Sequence, residues 1–246
     1  MSRADARATT TEDRTLVWDG CLNVRDLGGL RTTTGTRTAP GAIVRADNLD
    51  RLTAEGRDAL LDHGVHTVVD LRNAEEYKPL LPLPEGVELI RVPLDELAGP
   101  AWWQAYGHLD GTPLALRPYL DHCPHAAAEL ITTIAGARPG GVVVHCGAGR
   151  DRTGLAALLL LALADVEPAE IVADYLLSTP NVRPLYGMLG LPDPFHRIDA
   201  ALAEAGTTAE AALAATLTGF TPASYLLAAG VTPTDLAAVR ARLLPS

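Results

Sequence analysis

The sequence predicts an α/β fold, a central sheet with helices on both faces and a mostly helical extension over 180–246. Three observations carry this expectation. Short β-branched runs at 65–72, 88–94 and 140–144 alternate with longer segments of helical pattern. Beyond about residue 180 only helical patterns continue. Finally, Gly140-Gly141-Val142-Val143-Val144 leads through a tight glycine-containing turn into Leu155-Ala156-Ala157-Leu158-Leu159-Leu160-Leu161, a strand–loop–helix junction. Hydrophobic residues are 48% of the 246, enough for a sizeable core, and the length suits one domain over 15–246.

In chain order, residues 1–14 are polar and threonine-rich and are expected to be disordered. Structure opens at Leu16-Val17-Trp18, and Asn23-Val24-Arg25-Asp26-Leu27-Gly28-Gly29 reads as a turn held by side-chain hydrogen bonds. A strand over 42–46 precedes a helix that Thr53 caps and Gly64 stops. The run 65–72 is a central strand with Asp70 and Arg72 at its carboxyl end, where open α/β sheets place ligands. Glu75 or Glu76 is a candidate ion-pair partner for Arg72. A further strand over 88–94 runs into Asp95 and Glu96.

Residues 97–124 read as an irregular stretch. Within it Trp102, Trp103 and Tyr106 would either cap a pocket and stack on a substrate ring, or plug the loop onto the domain. Helices follow over 126–137 and 168–178, the second with Pro168 in its first turn. Residues 180–195, rich in Pro and Gly, read as a connector to the C-terminal helices, the last of which runs over 233–244.

The junction itself is His145-Cys146-Gly147-Ala148-Gly149-Arg150-Asp151-Arg152-Thr153-Gly154. Loop N–H groups and the helix N-terminus converge there on one point of positive potential, an anion site. A thiolate is stabilised by such a terminus and by neighbouring cations, so Cys146 is expected to be nucleophilic at neutral pH. Arg152, on the first turn of the helix, offers a planar fork that matches two phosphoryl oxygens, as lysine would not. Phosphoryl transfer needs in-line positioning and charge neutralisation, which the segment Gly147, Ala148, Gly149, Arg150, Asp151, Arg152 supplies. The chemistry expected is attack of Cys146 on phosphorus, a phosphocysteine, and its hydrolysis by water. Thr153 is placed to hydrogen-bond the sulfur in the second step, and Arg150 to add an auxiliary anion contact.

This decamer resembles the His-Cys-x5-Arg-Thr/Ser signature of protein tyrosine phosphatases. More narrowly it is similar to the His-Cys-x-x-Gly-Lys-Asp-Arg-Thr-Gly loop of the atypical bacterial and fungal tyrosine/lipid phosphatases, with Arg150 in place of the lysine. A second family signature, Asn-x-Arg-Asp-Leu-Gly-Gly, is matched at Asn23, Arg25 and Asp26. Asp70 and Arg72 match an Asp-Leu-Arg, and Ala173-Asp174-Tyr175-Leu176 with Ser178 matches a further pattern. Ala46 departs from the usual serine after Arg45. The resemblance runs from about Asn23 to the C-terminus and is weakest over 97–120 and 180–220.

The resemblance implies a tyrosine phosphatase-like central sheet flanked by helices, with Cys146 as nucleophile and Arg152 as phosphate ligand. It implies supporting roles for His145, Thr153, Asp70, Arg72, Asn23, Arg25 and Asp26. It also implies a general acid on a loop after the 88–94 strand. Asp95 is the first candidate, Asp151 the second and Glu96 the third, a one-residue shift of register favouring the last. The implied substrate is phosphotyrosyl protein, with phosphoinositides as a sideline.

A formal net charge of −10 argues against nucleic acid or an anionic membrane as partner. The apolar run from Leu155 stops at Asp165, too short to span a bilayer, and no apolar signal region follows the N-terminus. Three cysteines, Cys21, Cys123 and Cys146, imply no disulfide framework and so a reducing cytoplasm. His122 and His125 flank Cys123 without a fourth ligand at finger-like spacing, so neither metal nor cofactor is expected. Two rival functions stay open, a phosphatase for a small phosphorylated metabolite such as a nucleotide-like intermediate, and a non-catalytic phosphate-binding module. Intact Cys146 and Arg152 count against the module, and the Asp-Arg-Thr-Gly helix start counts against a rhodanese-like sulfur carrier.

Overall fold

The computed structural model describes residues 14–79 and 81–245. Its centre is a five-stranded sheet. Strand β1 (Arg25–Asp26) lies antiparallel on β2 (Ile43–Ala46); then come β5 (Gly141–His145), β3 (Val65–Asp70) and β4 (Glu88–Arg91), all parallel to β2. β5 is buried along its whole length, which is why it reads as an unbroken β-branched run. Its side chains alternate between two cores. Val142 and Val144 join Ile43 and Val69 under the helices α4 (Pro124–Gly136) and α5 (Arg152–Leu163). Val143 joins Val44, Val68 and Trp18 under Leu60 of α1 (Ala54–Asp62). α5 is apolar nearly all round and is buried to match.

Register decides where the site forms. His145 pairs with Ala46 of β2 and with Asp70 of β3, so three strands end level. The segments leaving them, 46–48, 70–73 and 145–152, therefore meet at the carboxyl edge of the sheet. The cap expected at Thr53 is present, its side chain accepting from Gly56 N at 3.2 Å.

Three expectations are corrected. The stretch 97–124 is helical. It holds most of α2 (Leu94–Tyr106), single 3-10 turns at 107–109 and 113–115, and α3 (Leu116–His122). Gly99 and Pro100 only kink α2, Gly99 taking φ 74° and ψ 166°, because Leu94 and Trp102 on either side are both buried. Burial of those two anchors outweighs the local breaking tendency. Residues 180–195 are likewise more than a connector. After α6 (Pro168–Leu176), the helix α7 (Ser178–Met188) carries Pro180 in its first turn, where no N–H is needed, and tolerates Pro184 inside. Val182 of α7 packs with Phe195, Ile198 and Leu202 of α8 (Phe195–Glu204).

The helices α9 (Ala209–Leu217), α10 (Pro222–Ala228) and α11 (Pro233–Leu243) complete the chain. Of the stretch 1–14 expected to be disordered, residues 1–13 lie outside those described, and Arg14 is ordered. That side chain is buried and donates from Nη1 to Asp174 Oδ1 (3.0 Å) and Asp26 O (2.9 Å). Among the described residues no single helix is long and apolar enough to cross a membrane.

Candidate active site

β5 delivers Cys146, 3% exposed, to the floor of a loop that closes as α5 starts at Arg152. Gly149 makes the loop possible. Its φ is +66°, and a Cβ there would stand 2.5 Å from Ala46 O. The loop carbonyls are pinned on the outer side. Asn23 Nδ2 donates to Ala148 O (3.1 Å) and Gly149 O (3.0 Å), Arg45 Nη2 to Gly149 O (2.8 Å), and Asn48 N to Gly147 O (3.0 Å). Carbonyls held outward leave the loop N–H groups for an anion.

Behind these donors lies a buried cluster. The Asp174 carboxylate meets Arg14 at 3.0 Å, Arg25 at 2.9 Å and Arg45 at 2.6 Å. Burial pushes that carboxyl up, but Arg25, Arg45 and Arg14 outweigh it and hold it well below the usual carboxylate range. Arg25 also donates to Asn23 Oδ1 at 2.7 Å, so the cluster reaches the loop through Asn23 and Arg45. Asp174→Ala would leave three guanidinium groups buried without their counter-charge. The expected cost is about 3–5 kcal/mol, a fall of roughly 6–20 °C in Tm by calorimetry. A fall below about 2 °C would show that the cluster does not support the fold. Asp26, expected beside Asn23 and Arg25, is elsewhere. Its carboxylate accepts from Gly28 N and Gly41 N, both at 2.7 Å, and faces His63 Nε2 at 3.2 Å.

Asp70 and Arg72 lie under the loop rather than in the cleft. Arg72 is bound by Asp70 (2.8 Å) and Asp50 (2.8 Å) and donates to Asn48 Oδ1 (2.8 Å); of the two expected partners, Glu76 supplies only a carbonyl and Glu75 accepts instead from Asn73 Nδ2 at 3.4 Å. His145 Nε2 is 3.7 Å from Asp70 Oδ1. Burial pushes the imidazole down to about 4 against the pull of Asp70, so the ring is neutral at pH 7.

The Glu76 carboxylate instead grips Arg152, Oε1 accepting from Nη1 at 2.6 Å and Oε2 from Nη2 at 2.8 Å. Those bonds from Arg152 hold the Glu76 carboxyl below its ordinary value. Asp95 Oδ2 is 2.8 Å from the same Nη1. Glu76 thus takes two of the five guanidinium N–H bonds and Asp95 forms an ion pair at Nη1, while Nε with one Nη2 hydrogen forms the open edge of the fork. This edge belongs to a cleft of about 290 Å³ lined by Cys146, Asp151, Arg152, Asp95 and Asp110, with Tyr186, Phe195 and Ile198 as the far wall.

Asp95 occupies the first turn of α2, not a loop. Burial pushes its carboxyl up to about 6; Asp110, Glu76 and Asp151 add to the shift and Arg152 opposes it. Glu96 points away, accepting from Ala74 N at 3.3 Å. Arg150, expected as an auxiliary anion contact, lines the cleft and is tied to groups around it. It is 3% exposed and donates to Gly111 O (2.8 Å), Thr179 Oγ1 (3.1 Å) and Asp151 Oδ1 (2.6 Å). The Thr153 hydroxyl is buried with no hydrogen-bond partner, so its expected bond to the Cys146 sulfur is not formed.

The aromatic residues are no lid either. Trp102 is buried 5.1 Å from Trp103 and 5.5 Å from Tyr119, centroid to centroid, and Tyr106 donates to or accepts from His122 Nε2 at 2.9 Å. Trp102 and Trp103 wall a small side cavity next to Asp95 and Arg152. The cleft is capped instead by α7 and α8.

Comparison with known proteins agrees with this geometry. The sequence model of the tyrosine phosphatase family matches residues 16–245, almost the whole chain. The chain belongs to the tyrosine phosphatase family. A tyrosine-protein phosphatase of Nostoc commune is 36% identical over 144 residues, 56% of this chain and 48% of the relative. The triple specificity protein phosphatase PtpB of Mycobacterium tuberculosis is 30% identical over 195 residues, 66% of this chain and 68% of its own. A Cupriavidus necator protein, provisionally named a tyrosine-protein phosphatase, is 32% identical over 195 residues, 72% and 68% of the two chains.

The protein is therefore a cysteine-dependent phosphatase, a phosphoric monoester hydrolase. The rim acid Asp110 and the wall residues Tyr186, Phe195 and Ile198 of the phosphatase cleft escaped sequence reading, and Glu76, read as a candidate partner for Arg72, pairs instead with Arg152. Only the Glu76 position carried a signal, as an acid one strand-end turn from Arg72.

Proposed function

We propose that this phosphatase cleaves phosphotyrosyl esters through a phosphocysteine on Cys146. The observation that carries the reading is the open edge of Arg152, which shares one cleft with Cys146 while Glu76 holds its other edge and Asp95 pairs with Nη1. The Nε/Nη2 edge and the loop N–H groups would take the equatorial oxygens, leaving phosphorus facing the sulfur. The thiolate attacks, the P–O bond breaks, and Asp95 gives its proton to the leaving oxygen. The apolar wall of Tyr186, Phe195 and Ile198 suits the ring of such an ester. The tyrosine-protein and triple-specificity names of the relatives support the same class. A thiolate and a guanidinium supply nucleophile and charge here, so EDTA is expected to leave the rate unchanged. Three free thiols fit a reducing compartment such as the cytoplasm.

Rapid acid quenching during turnover of a phosphotyrosyl peptide tests the reading, the expected product being a phosphate adduct on the peptide that carries Cys146. No adduct, or faster turnover of nucleotide monophosphates than of the peptide, would overturn it. The acid has its own test. Asp95 acts only while protonated, so kcat/KM on alkyl phosphates should fall as pH rises through about 6. Asp95→Asn should cost about 10²–10⁴-fold on alkyl phosphates, much less on p-nitrophenyl phosphate, and should flatten that basic limb. The same leaving-group pattern in Asp151→Asn, with none in Asp95→Asn, would transfer the role to the loop.

A further inference from the structure

We infer that Tyr175 and Arg150 position Asp151 as the base for the second chemical step, so that two carboxylates divide the reaction. The inference rests on Cys146 being the nucleophile. Asp151 Oδ1 accepts two hydrogen bonds, from Arg150 Nη1 at 2.6 Å and from the Tyr175 hydroxyl at 3.1 Å. Its Oδ2 accepts none among the described residues, and the carboxylate, 35% exposed, lines the same cleft as Cys146. One oxygen is fixed and the other is free to face a water.

The two donors are themselves locked. Tyr175 is 2% exposed and its ring lies flat against Gly154, where a Cβ would come within 2.4 Å of Cε2. A glycine at the start of α5 thus lets α6 bring its phenol to the loop. Burial, with Asp151 next, pushes that phenol far above its ordinary value, so it remains a donor throughout. Arg150 is anchored on Thr179 and Gly111 and stands 5.5 Å from the Tyr175 ring centroid and 5.3 Å from that of Phe195. Both converge on one carboxylate oxygen.

Asp95 is less suited to the second step. Once it has given up its proton, its Oδ2 is engaged by Arg152 Nη1 at 2.8 Å, whereas Asp151 keeps an oxygen open to the cleft. Asp95 and Asp151 border the same space, where the leaving oxygen departs and water enters in line with the P–S bond. Water oxygen attacks phosphorus, its proton passes to Asp151 Oδ2, the P–S bond breaks, and sulfur leaves as the thiolate. Asp151 then returns the proton to solvent.

The experiment compares Tyr175→Phe, which keeps the ring against Gly154, and Asp151→Asn with the wild type on p-nitrophenyl phosphate. Rapid quench measures the decay of the phosphoenzyme, and steady-state kinetics give kcat/KM, which reports only the steps through phosphoryl transfer to Cys146. Tyr175→Phe is expected to slow decay about tenfold, and Asp151→Asn about a hundredfold. Tyr175→Phe should retain kcat/KM within about twofold, and phosphoenzyme should accumulate in both variants. Decay unchanged in Asp151→Asn, or decay and kcat/KM falling together in both variants, overturns the inference. Absence of phosphoenzyme in the wild type would instead remove the Cys146 reading on which it rests.

Discussion

Replacing Cys146 by serine is expected to abolish turnover of aryl phosphates, by about 10⁴-fold or more, while the protein stays folded. Serine is close to cysteine in size, and Cys146 meets the core only at the edge of β5, so packing at the loop floor survives. The chemistry does not. An alcohol needs a base to make it nucleophilic, and the nearest imidazole is committed: His145 Nδ1 faces Cys146 O at 3.3 Å and Nε2 faces Asp70. Steady-state rates on p-nitrophenyl phosphate, read beside a melting curve, decide the matter. Residual activity within about tenfold of wild type would remove Cys146 as nucleophile.

Arg152→Lys is expected to lower kcat/KM by about 10³-fold. The guanidinium does two things at once: it donates two hydrogen bonds to Glu76 and pairs in charge with Asp95, and the remaining edge is left for phosphoryl oxygens. A lysine ammonium has three donors at a single point and cannot span both. If it stays with Glu76, the phosphoryl group loses its bidentate partner; if it turns to the phosphate, Glu76 and Asp95 face each other uncompensated. Glu76→Gln keeps one hydrogen bond to the fork and should cost less, about tenfold. Equal losses in the two variants would mean that Arg152 serves chiefly as the partner of Glu76.

Much of the architecture was legible because it is written in local pattern. The β-branched run of β5, the apolar surface of α5 and the Cys146-to-Arg152 loop between them are contiguous, and each implies its neighbour. Thr53 as a cap and Pro168 in a first turn were readable for the same reason, since a cap acts within four residues. The helical nature of 97–124 and 178–188 was not. Gly99, Pro100 and Pro184 are local breakers, and what overrules them is burial of Leu94, Trp102 and Val182 against partners distant in sequence.

The sequence by itself determined which cysteine ends the central strand, which arginine starts the next helix, and that both share one loop. Only the tertiary structure decided the partners of the charges. Glu76 belongs to Arg152 and not to its near neighbour Arg72, because the level ends of β3 and β5 bring 70–76 across the loop while Asp50 and Asp70 already enclose Arg72. Arg150 is held by Gly111, Thr179 and Asp151 because those groups close round it as the chain folds. Charge and residue type are properties of a position in the chain, whereas pairing follows from distance in space, set here by strand register and by helices that no local pattern revealed.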